Sequence, residues 1–95
     1  MNTILCIPRL EEKISKDYIF SLFRRLNWGY IESIRESKLA KESGYKRVVI
    51  KLRFNRENIN IMNRINEGET LKLVYSEPWY MRICKFKPLH TPVTN

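Results

Sequence analysis

The segment from Tyr45 to Phe54 constrains the fold more than any other part of the chain, because its side chains alternate in polarity with period two. In a β-strand, successive side chains point to opposite faces of the sheet. One set of alternating positions is apolar and consists of Val48, Ile50, Leu52 and Phe54. The other set consists of Tyr45, Arg47, Val49, Lys51 and Arg53. The segment therefore predicts a β-strand with one face in the core and a cationic face open to solvent.

Apolar spacing and capping residues predict two helices and four further strands around this one. In chain order the predicted elements are a strand at 3–7, a helix from Ser15 to Asn27, a strand at 31–37, the strand at 45–54, a helix from Asn55 to Gly68, and strands at 71–75 and 80–86. Pro8 is expected to end the first strand. The second helix is expected to bury Ile59, Met62 and Ile65. Trp79, in the hairpin between the last two strands, is expected to be a packing anchor.

The predicted order of elements is β-α-β-β-α-β with one extra strand before the last. Each helix has a single apolar stripe, so both are expected to cover one face of an antiparallel sheet and leave the other face open. The sequence therefore predicts an α+β fold, a ferredoxin-like sandwich. A chain of 95 residues supports one core only. We expect a single domain with its core at about 3–87 and a loose tail at 88–95.

The composition excludes several classes of protein. No stretch without a charged residue is longer than 1–8, which is far short of the roughly 20 residues that cross a membrane, and no secretory signal is visible. Cys6 and Cys84 are too few for a disulfide framework, so we expect free thiols, an intracellular location and no membrane association. His90 has no zinc-ligand spacing, and the glycines match no phosphate-binding loop. We therefore expect no enzymatic activity, no metal site and no cofactor.

Positive charge is concentrated in the middle of the sequence. The chain has 18 Lys and Arg residues against 10 Asp and Glu residues, which gives a formal charge of +8. Residues 38–56 alone contain seven cations and one acidic residue. A small domain this basic attracts polyanions. A single-stranded nucleic acid needs cations along its backbone and planar groups for its bases, and this segment carries both.

The candidate binding residues lie on the open face of the strand at 45–54 or flank it. Arg47, Lys51 and Arg53 are separated by ~6.6 Å or a multiple of it along that face, which suits a phosphate backbone, and Tyr45 can stack on a base. The last strand adds Tyr80 and Arg82 to this face if Met81 and Ile83 face the core. The alternative is a solvated face whose charges only deter aggregation. The predicted set is Lys38, Lys41, Tyr45, Lys46, Arg47, Lys51, Arg53, Tyr80 and Arg82.

Several motifs resemble the RNA recognition motif family over about residues 3–87. The segment 5–10, Leu-Cys-Ile-Pro-Arg-Leu, stands at the family's hexamer motif, and the segment 45–54 stands at its octamer motif. The segments 15–23 and 31–34 are similar to the family's first helix and to the entry to its second strand. Cys-Ile-Pro-Arg and the segments 28–32 and 77–80 also resemble small proteins of this class in large DNA viruses.

The resemblance implies a ferredoxin-like fold that binds single-stranded RNA. Family members stack bases on aromatic side chains of the two motifs, and the hexamer's aromatic position holds Cys6 here, which adds Cys6 to the candidate site. In the family's sheet the last strand borders the first, so Cys6 and Cys84 are expected to be close neighbours. At most one of the family's stacking aromatics remains, so we expect weak sequence preference.

Two functions remain open at this point. The first is a non-enzymatic RNA-binding domain in the cytoplasm or nucleus, or in the host cytoplasm or virion for a viral protein. The alternative is a protein-interaction domain on the same fold, including a homodimer, with the hairpin around Trp79 and the strand that contains Phe86 as an apolar patch. The basic strand favours the first function, and the loss of stacking aromatics favours the second.

Overall fold

A computed structural model describes residues 2–87 and contains a five-stranded antiparallel sheet with two α-helices. The α+β class predicted from the sequence is confirmed. The predicted tail at 88–95 lies outside the described residues. The elements are β1 (Asn2–Glu11), α1 (Lys16–Leu26), β2 (Gly29–Lys38), β3 (Tyr45–Phe54), a 3₁₀ turn (Arg56–Asn58), α2 (Ile59–Asn66), β4 (Leu71–Ser76) and β5 (Trp79–Lys85).

The central strand of the sheet is β1. The strand order is β2-β3-β1-β5-β4, and every pairing is antiparallel. β1 pairs with β3 along nearly its whole length. Its register with β5 is much shorter and consists of Leu5↔Lys85 and Cys6↔Cys84. The expected proximity of the two cysteines is therefore confirmed.

Pro8 explains why β1 pairs so briefly with β5. The Phe86 N–H donates to the Ile4 carbonyl at 2.8 Å. Backbone polar groups alternate in direction along a strand, so Ile4 and Pro8, which are four residues apart, both direct theirs toward β5. Pro8 has no N–H and cannot extend that ladder. On the β3 side the strand continues to Glu11 through a register shift that follows Ile7. The prediction that Pro8 ends the strand is wrong for this reason.

Helix α1 begins and ends where the sequence predicts. The Ser15 hydroxyl oxygen accepts a hydrogen bond from the Tyr18 N–H at 3.0 Å, which satisfies one of the free amides of the first turn. Asn27 follows the last helical residue and adopts the left-handed conformation with φ of 53°, which ends the helix. Ile19, Leu22 and Phe23 are buried along one face.

Helix α2 starts later than predicted. Asn55 makes no side-chain cap bond. Its side-chain amide nitrogen instead donates to the Asn27 backbone carbonyl at 3.0 Å. The chain passes through the 3₁₀ turn before the α-helix begins at Ile59. Met62 and Ile65 are buried as predicted, but Ile59 is 38% exposed, so that prediction is wrong. Ile59, Met62 and Ile65 all lie in the α-helix, where residues three apart point about 60° away from each other. Ile59 therefore points about 120° away from Ile65 and lies at the edge of the buried stripe.

The core lies between the two helices and one face of the sheet. Every alternate residue of β3 from Val48 to Phe54 is buried on that face, which confirms the predicted parity of the strand. Met81 and Ile83 are buried too, so the conditional parity of β5 is also confirmed. The opposite face of the sheet carries no helix among residues 2–87. We call it the open face.

The corner between α1 and β2 depends on two adjacent residues. Trp28 is buried, with its ring stacked on Phe54 at a centroid distance of 6.2 Å. At Gly29, a Cβ atom would lie 2.0 Å from the Arg53 carbonyl oxygen, so the close approach of β2 to β3 requires glycine here.

Trp79 is not a packing anchor, and the prediction that it is one is wrong. It is 61% exposed at the start of β5. The neighbouring edge strand β4 has only half-buried apolar residues on the helix side of the sheet, at Leu71, Leu73 and Tyr75. The helices therefore do not cover this hairpin fully, and Trp79 lies at the margin of a depression that Tyr18 of α1 also lines, without being buried there.

We predict that two neighbouring substitutions in β3 will have opposite consequences for stability. Ile50→Asp places an unpaired carboxylate at a fully buried position, and we expect it to cost about 4 kcal/mol or more, enough to unfold a small domain. Arg47→Glu changes an exposed side chain and should alter the free energy of unfolding by less than ~0.5 kcal/mol. Urea unfolding followed by circular dichroism measures both. An unfolded Arg47→Glu protein would contradict the assignment of the open face.

Candidate nucleic-acid interface

A row of cations crosses the open face at right angles to the strands. Arg47 on β3 comes directly before Val48, which pairs with Ile7, so Arg47 lies beside Pro8 of the central strand. Arg82 lies two residues before Cys84 on the same face of β5, on the far side of Pro8. Lys72 of β4 is the register partner of Arg82. We call Arg47, Arg82 and Lys72 the cation row. Its outer strands are about 15 Å apart, since neighbouring strands are separated by ~4.8 Å.

A shallow groove lies along this row where β1 and β5 separate. It consists of two adjoining depressions of about 350 Å³ and 530 Å³ that share Pro8, Thr70 and Cys84. Arg47 lines the first, and Arg82 lines the second. The gap follows from the missing Pro8 N–H, because pairing between the two strands stops just before it. We call this depression the junction groove.

The structure brings four of the predicted site residues together at the junction groove. They are Cys6, Arg47, Tyr80 and Arg82. The Lys72 ammonium lies 4.8 Å from the centroid of the Tyr80 ring. A hydrogen bond with Arg82 and the charge of Lys72 lower the pKa of Tyr80. The exposed phenol ring is thus surrounded by cations, an arrangement suited to a base whose phosphates lie beside it.

Two other predicted cations share the open face but are paired within the protein. The Lys51 ammonium lies 3.4 Å from one carboxylate oxygen of Glu32, and the Arg53 guanidinium lies 2.9 Å from the other. Glu32 belongs to β2 and therefore screens the far end of the predicted phosphate-binding stripe. A phosphate at this end would have to compete with a carboxylate already in place.

The predicted stacking residue Tyr45 has one ring face covered. The guanidinium carbon of Arg9 lies 3.7 Å from its ring centroid, a cation–π contact. Arg9 is held there by Glu42 at 2.5 Å, a hydrogen bond that raises the pKa of the guanidinium. A base can therefore stack on Tyr45 only on its other face, or by displacing Arg9.

The three remaining predicted lysines do not line the junction groove. Lys46 is on the helix side of β3 and only 6% exposed. Its ammonium donates to the Ile14 carbonyl and lies 2.5 Å from Glu36. Its long stem lets the charge reach these partners at the margin of the core, so Lys46 faces away from the cation row. Lys38 and Lys41 are exposed at the end of β2 and in the loop that follows.

Sequence reasoning missed Lys72, Arg9 and Glu32. Lys72 lies between the apolar residues Leu71 and Leu73 of an alternating strand. This alternation is the signal that could have placed Lys72 on the open face. The cross-sheet contacts of Arg9 and Glu32 depend on the register shifts in β1 and β2, and no local pattern marks these shifts.

The two thiols meet at the floor of the junction groove. The Cys84 thiol donates to the Cys6 carbonyl at 3.7 Å, and both cysteines are free. Burial and the neighbouring Cys84 raise the pKa of Cys6 to about 11, while the charge of Arg47 acts in the opposite direction.

Comparison with protein-family models, curated proteins and solved structures finds no match to this chain. Within residues 2–87, no helix is long and apolar enough to cross a membrane, and no group of three or more His, Cys, Asp or Glu side chains is placed to hold a metal ion. The functional assignment therefore depends on the geometry of the open face.

We predict that Cys6 in the folded protein will be alkylated by iodoacetamide at pH 8 at least about tenfold more slowly than in urea. The thiolate is the reactive species, and a pKa of about 11 leaves little thiolate at this pH, while burial restricts access. Peptide mass mapping over time measures the rate at each cysteine. Equal rates for Cys6 in the folded and unfolded protein would contradict its placement in the floor of the groove.

Proposed function

We propose that this chain is a non-enzymatic RNA-binding domain that holds single-stranded RNA on the open face of its sheet, with little sequence preference. The observation that carries the proposal is the cation row beside an exposed tyrosine. Among residues 2–87, no carboxylate lies within 4.0 Å of Arg47, Arg82 or Lys72. These charges are available to phosphates, and Tyr80 is available to a base.

The shape of the site supports a single strand over a duplex. The junction groove is shallow and lies across the sheet, so successive phosphates can follow Arg47, Arg82 and Lys72 from strand to strand. The ring of Tyr80 can stack only on a base that is not already stacked in a helix. A duplex presents its phosphates but not the faces of its bases.

Weak sequence preference is expected because most of the contacts are to the backbone. Phosphate contacts fix position and carry no sequence information. Cys6 offers no ring for stacking, and one face of Tyr45 is covered by Arg9. Tyr80 remains as the exposed aromatic at the groove, and base–aromatic stacking tolerates every base.

We also propose that the fold is ferredoxin-like and related to the RNA recognition motif. If β4 is set aside as an added edge strand, the remaining order is β2-β3-β1-β5 with both helices on one face. That is the order of a four-stranded βαββαβ sandwich in which the first and third strands are central. β4 then extends the sheet by one strand beside the last.

The second candidate is a protein-interaction domain, including a homodimer. Trp79 and Val74 are more than half exposed on the β4–β5 hairpin, and Tyr80 adjoins them. Exposed aromatic side chains at a sheet edge are typical of protein interfaces. The cation row favours RNA over this alternative, because unpaired cations are costly to bury against a protein that does not neutralise them.

We predict a salt dependence that counts the phosphates bound. Within residues 2–87, the exposed cations along the groove and its margins that have no carboxylate within 4.0 Å are Arg47, Lys72, Arg82, Lys85 and Lys87. If three to five of them neutralise phosphates, log K for single-stranded RNA should fall with log salt at a slope of about −2 to −3.5. Fluorescence anisotropy with an unstructured RNA oligonucleotide at several salt concentrations measures the slope. No binding at low salt would leave the protein-interaction candidate in the lead.

We predict that reversing two charges of the cation row will weaken RNA binding without unfolding the protein. Arg47→Glu combined with Arg82→Glu should reduce affinity at least about tenfold, or ~1.4 kcal/mol, because two attractions become two repulsions. Both residues are exposed, so the unfolding midpoint should change little. Anisotropy titration at fixed salt, with circular dichroism as the folding check, measures the effect.

The matched control is Lys16→Glu combined with Arg25→Glu, which changes the net charge equally on the helix-covered side. Both residues are exposed on α1, and they lie at opposite ends of the helix, so their effects on its dipole oppose each other. The control should lose affinity only through net charge, and therefore much less than the variant of the cation row. Equal losses in the two proteins would mean that binding is nonspecific and does not use the open face.

A further inference from the structure

Cys6 and Cys84 form a pair of thiols that the proposed RNA-binding function does not use. They are register partners on the antiparallel strands β1 and β5, and their side chains line the same depression. Directly opposed residues of antiparallel strands have Cα atoms about 4.5–5.5 Å apart. Disulfides span Cα separations of roughly 4.4–6.8 Å. The backbone therefore already holds the two cysteines at a distance that a disulfide can bridge.

We propose that Cys6 and Cys84 are an oxidisable dithiol site that closes to an intrachain disulfide in reaction with a small-molecule disulfide such as oxidised glutathione. The proposal goes beyond RNA binding and does not depend on it. Its support is the register of the two strands, the contact between the Cys84 thiol and the Cys6 carbonyl, and the access that the junction groove gives to the pair.

The reaction proceeds by two thiol–disulfide exchanges. Cys84 is the more exposed thiol, and its thiolate attacks one sulfur of oxidised glutathione, which forms a mixed disulfide and releases one glutathione thiolate. The Cys6 thiolate then attacks the Cys84 sulfur, closes the protein disulfide and releases the second glutathione. The two protons from the protein thiols end on the two glutathione molecules. The protein loses two electrons and the glutathione disulfide gains them.

The surroundings of the pair support this order of events. Arg47, Lys85 and Lys87 line the depression that holds the two thiols, and oxidised glutathione carries carboxylates that these cations attract. Cys6 is only 7% exposed, so an external disulfide reaches it poorly, whereas a mixed disulfide on Cys84 is already beside it. Burial raises the pKa of Cys6 to about 11, with the charge of Arg47 opposing that rise, so the second step depends on the closeness of Cys6 to the adduct on Cys84.

The disulfide would fasten β5 to β1 at the place where their pairing is shortest. The register there consists of Leu5↔Lys85 and the two cysteines, with one further bond from Phe86 to Ile4. The closed loop would run from residue 6 to residue 84, which is most of the described chain. A disulfide that closes so long a loop restricts the unfolded state strongly. The oxidised protein should therefore unfold at a higher temperature than the reduced protein.

The test is to incubate the full chain with oxidised glutathione, folded and in urea, then block free thiols and map the peptides without reduction. We expect the folded protein to give mainly the Cys6–Cys84 disulfide, with no free thiol and no retained glutathione. In Cys6→Ser, or in Cys6→Ala if the serine variant does not fold, Cys84 should retain its glutathione adduct. In Cys84→Ser, Cys6 should remain largely unmodified.

Two outcomes would overturn the proposal. One is a folded wild-type protein that carries glutathione stably on Cys84 or that forms only intermolecular disulfides. The other is a bridge that forms no faster in the folded protein than in urea, which would mean that the fold does not bring the thiols together.

Thermal unfolding provides a second readout, with an expected rise of about 10 °C or more in the unfolding temperature on oxidation and reversal by a reductant. An unchanged unfolding temperature would contradict the proposed fastening of β5 to β1.

Discussion

A proline in the central strand is the constraint on which the rest of the open face depends. The Ile4 carbonyl accepts a hydrogen bond from the Phe86 N–H. Pro8 lies four residues further along β1, so its backbone also faces β5. The ladder between β1 and β5 therefore stops after Cys6↔Cys84, while the same strand remains paired with β3 up to Glu11. One missing N–H thus divides the sheet into a firmly paired half, β2-β3-β1, and a hairpin, β4–β5, that is joined to it over a short register. The junction groove is the consequence of that division.

Carboxylates decide which cations of this basic chain are available to a partner. Glu32 occupies Lys51 and Arg53, Glu36 occupies Lys46, and Glu42 occupies Arg9. Of the seven cations in residues 38–56, four have a carboxylate within 4.0 Å, namely Lys38, Lys46, Lys51 and Arg53. Among the exposed cations of residues 2–87 that have no carboxylate within 4.0 Å, Arg47 on β3, Arg82 on β5 and Lys72 on β4 lie in a row across the sheet. The charge pattern of the sequence indicates the open face, but it places the cations along one strand. In the structure, Arg47, Arg82 and Lys72 lie on three different strands.

The sequence predicts what depends on local pattern, and it fails where one strand shifts against another. The parity of β3, the Ser15 cap and the end of α1 at Asn27 follow from alternation and from the chemistry of single residues, and all three are confirmed. The partners of β4 show the limit of that reasoning. Ser76 pairs with Trp79 across the turn. An uninterrupted register from that pair would place Leu73 opposite Arg82, but a register shift between Val74 and Ser76 makes Lys72 the partner of Arg82. Lys46 belongs to the predicted binding set, but its long stem places its charge at the core margin, where Ile14 and Glu36 satisfy it.

The position of each cation separates those that the fold itself explains from those that it does not. Arg24 and Arg25 lie in the last turn of α1, where positive charge stabilises the helix dipole. Arg64 forms a paired contact with Glu69 at 2.6 Å beyond the end of α2. Arg47 and Arg82 have no such structural role among residues 2–87. They lie on the one face that no helix covers, on either side of the strand whose proline opens the groove between them. In the proposed function, these two cations contact successive phosphates of one RNA strand, and Lys72, the register partner of Arg82, is placed to contact the next phosphate.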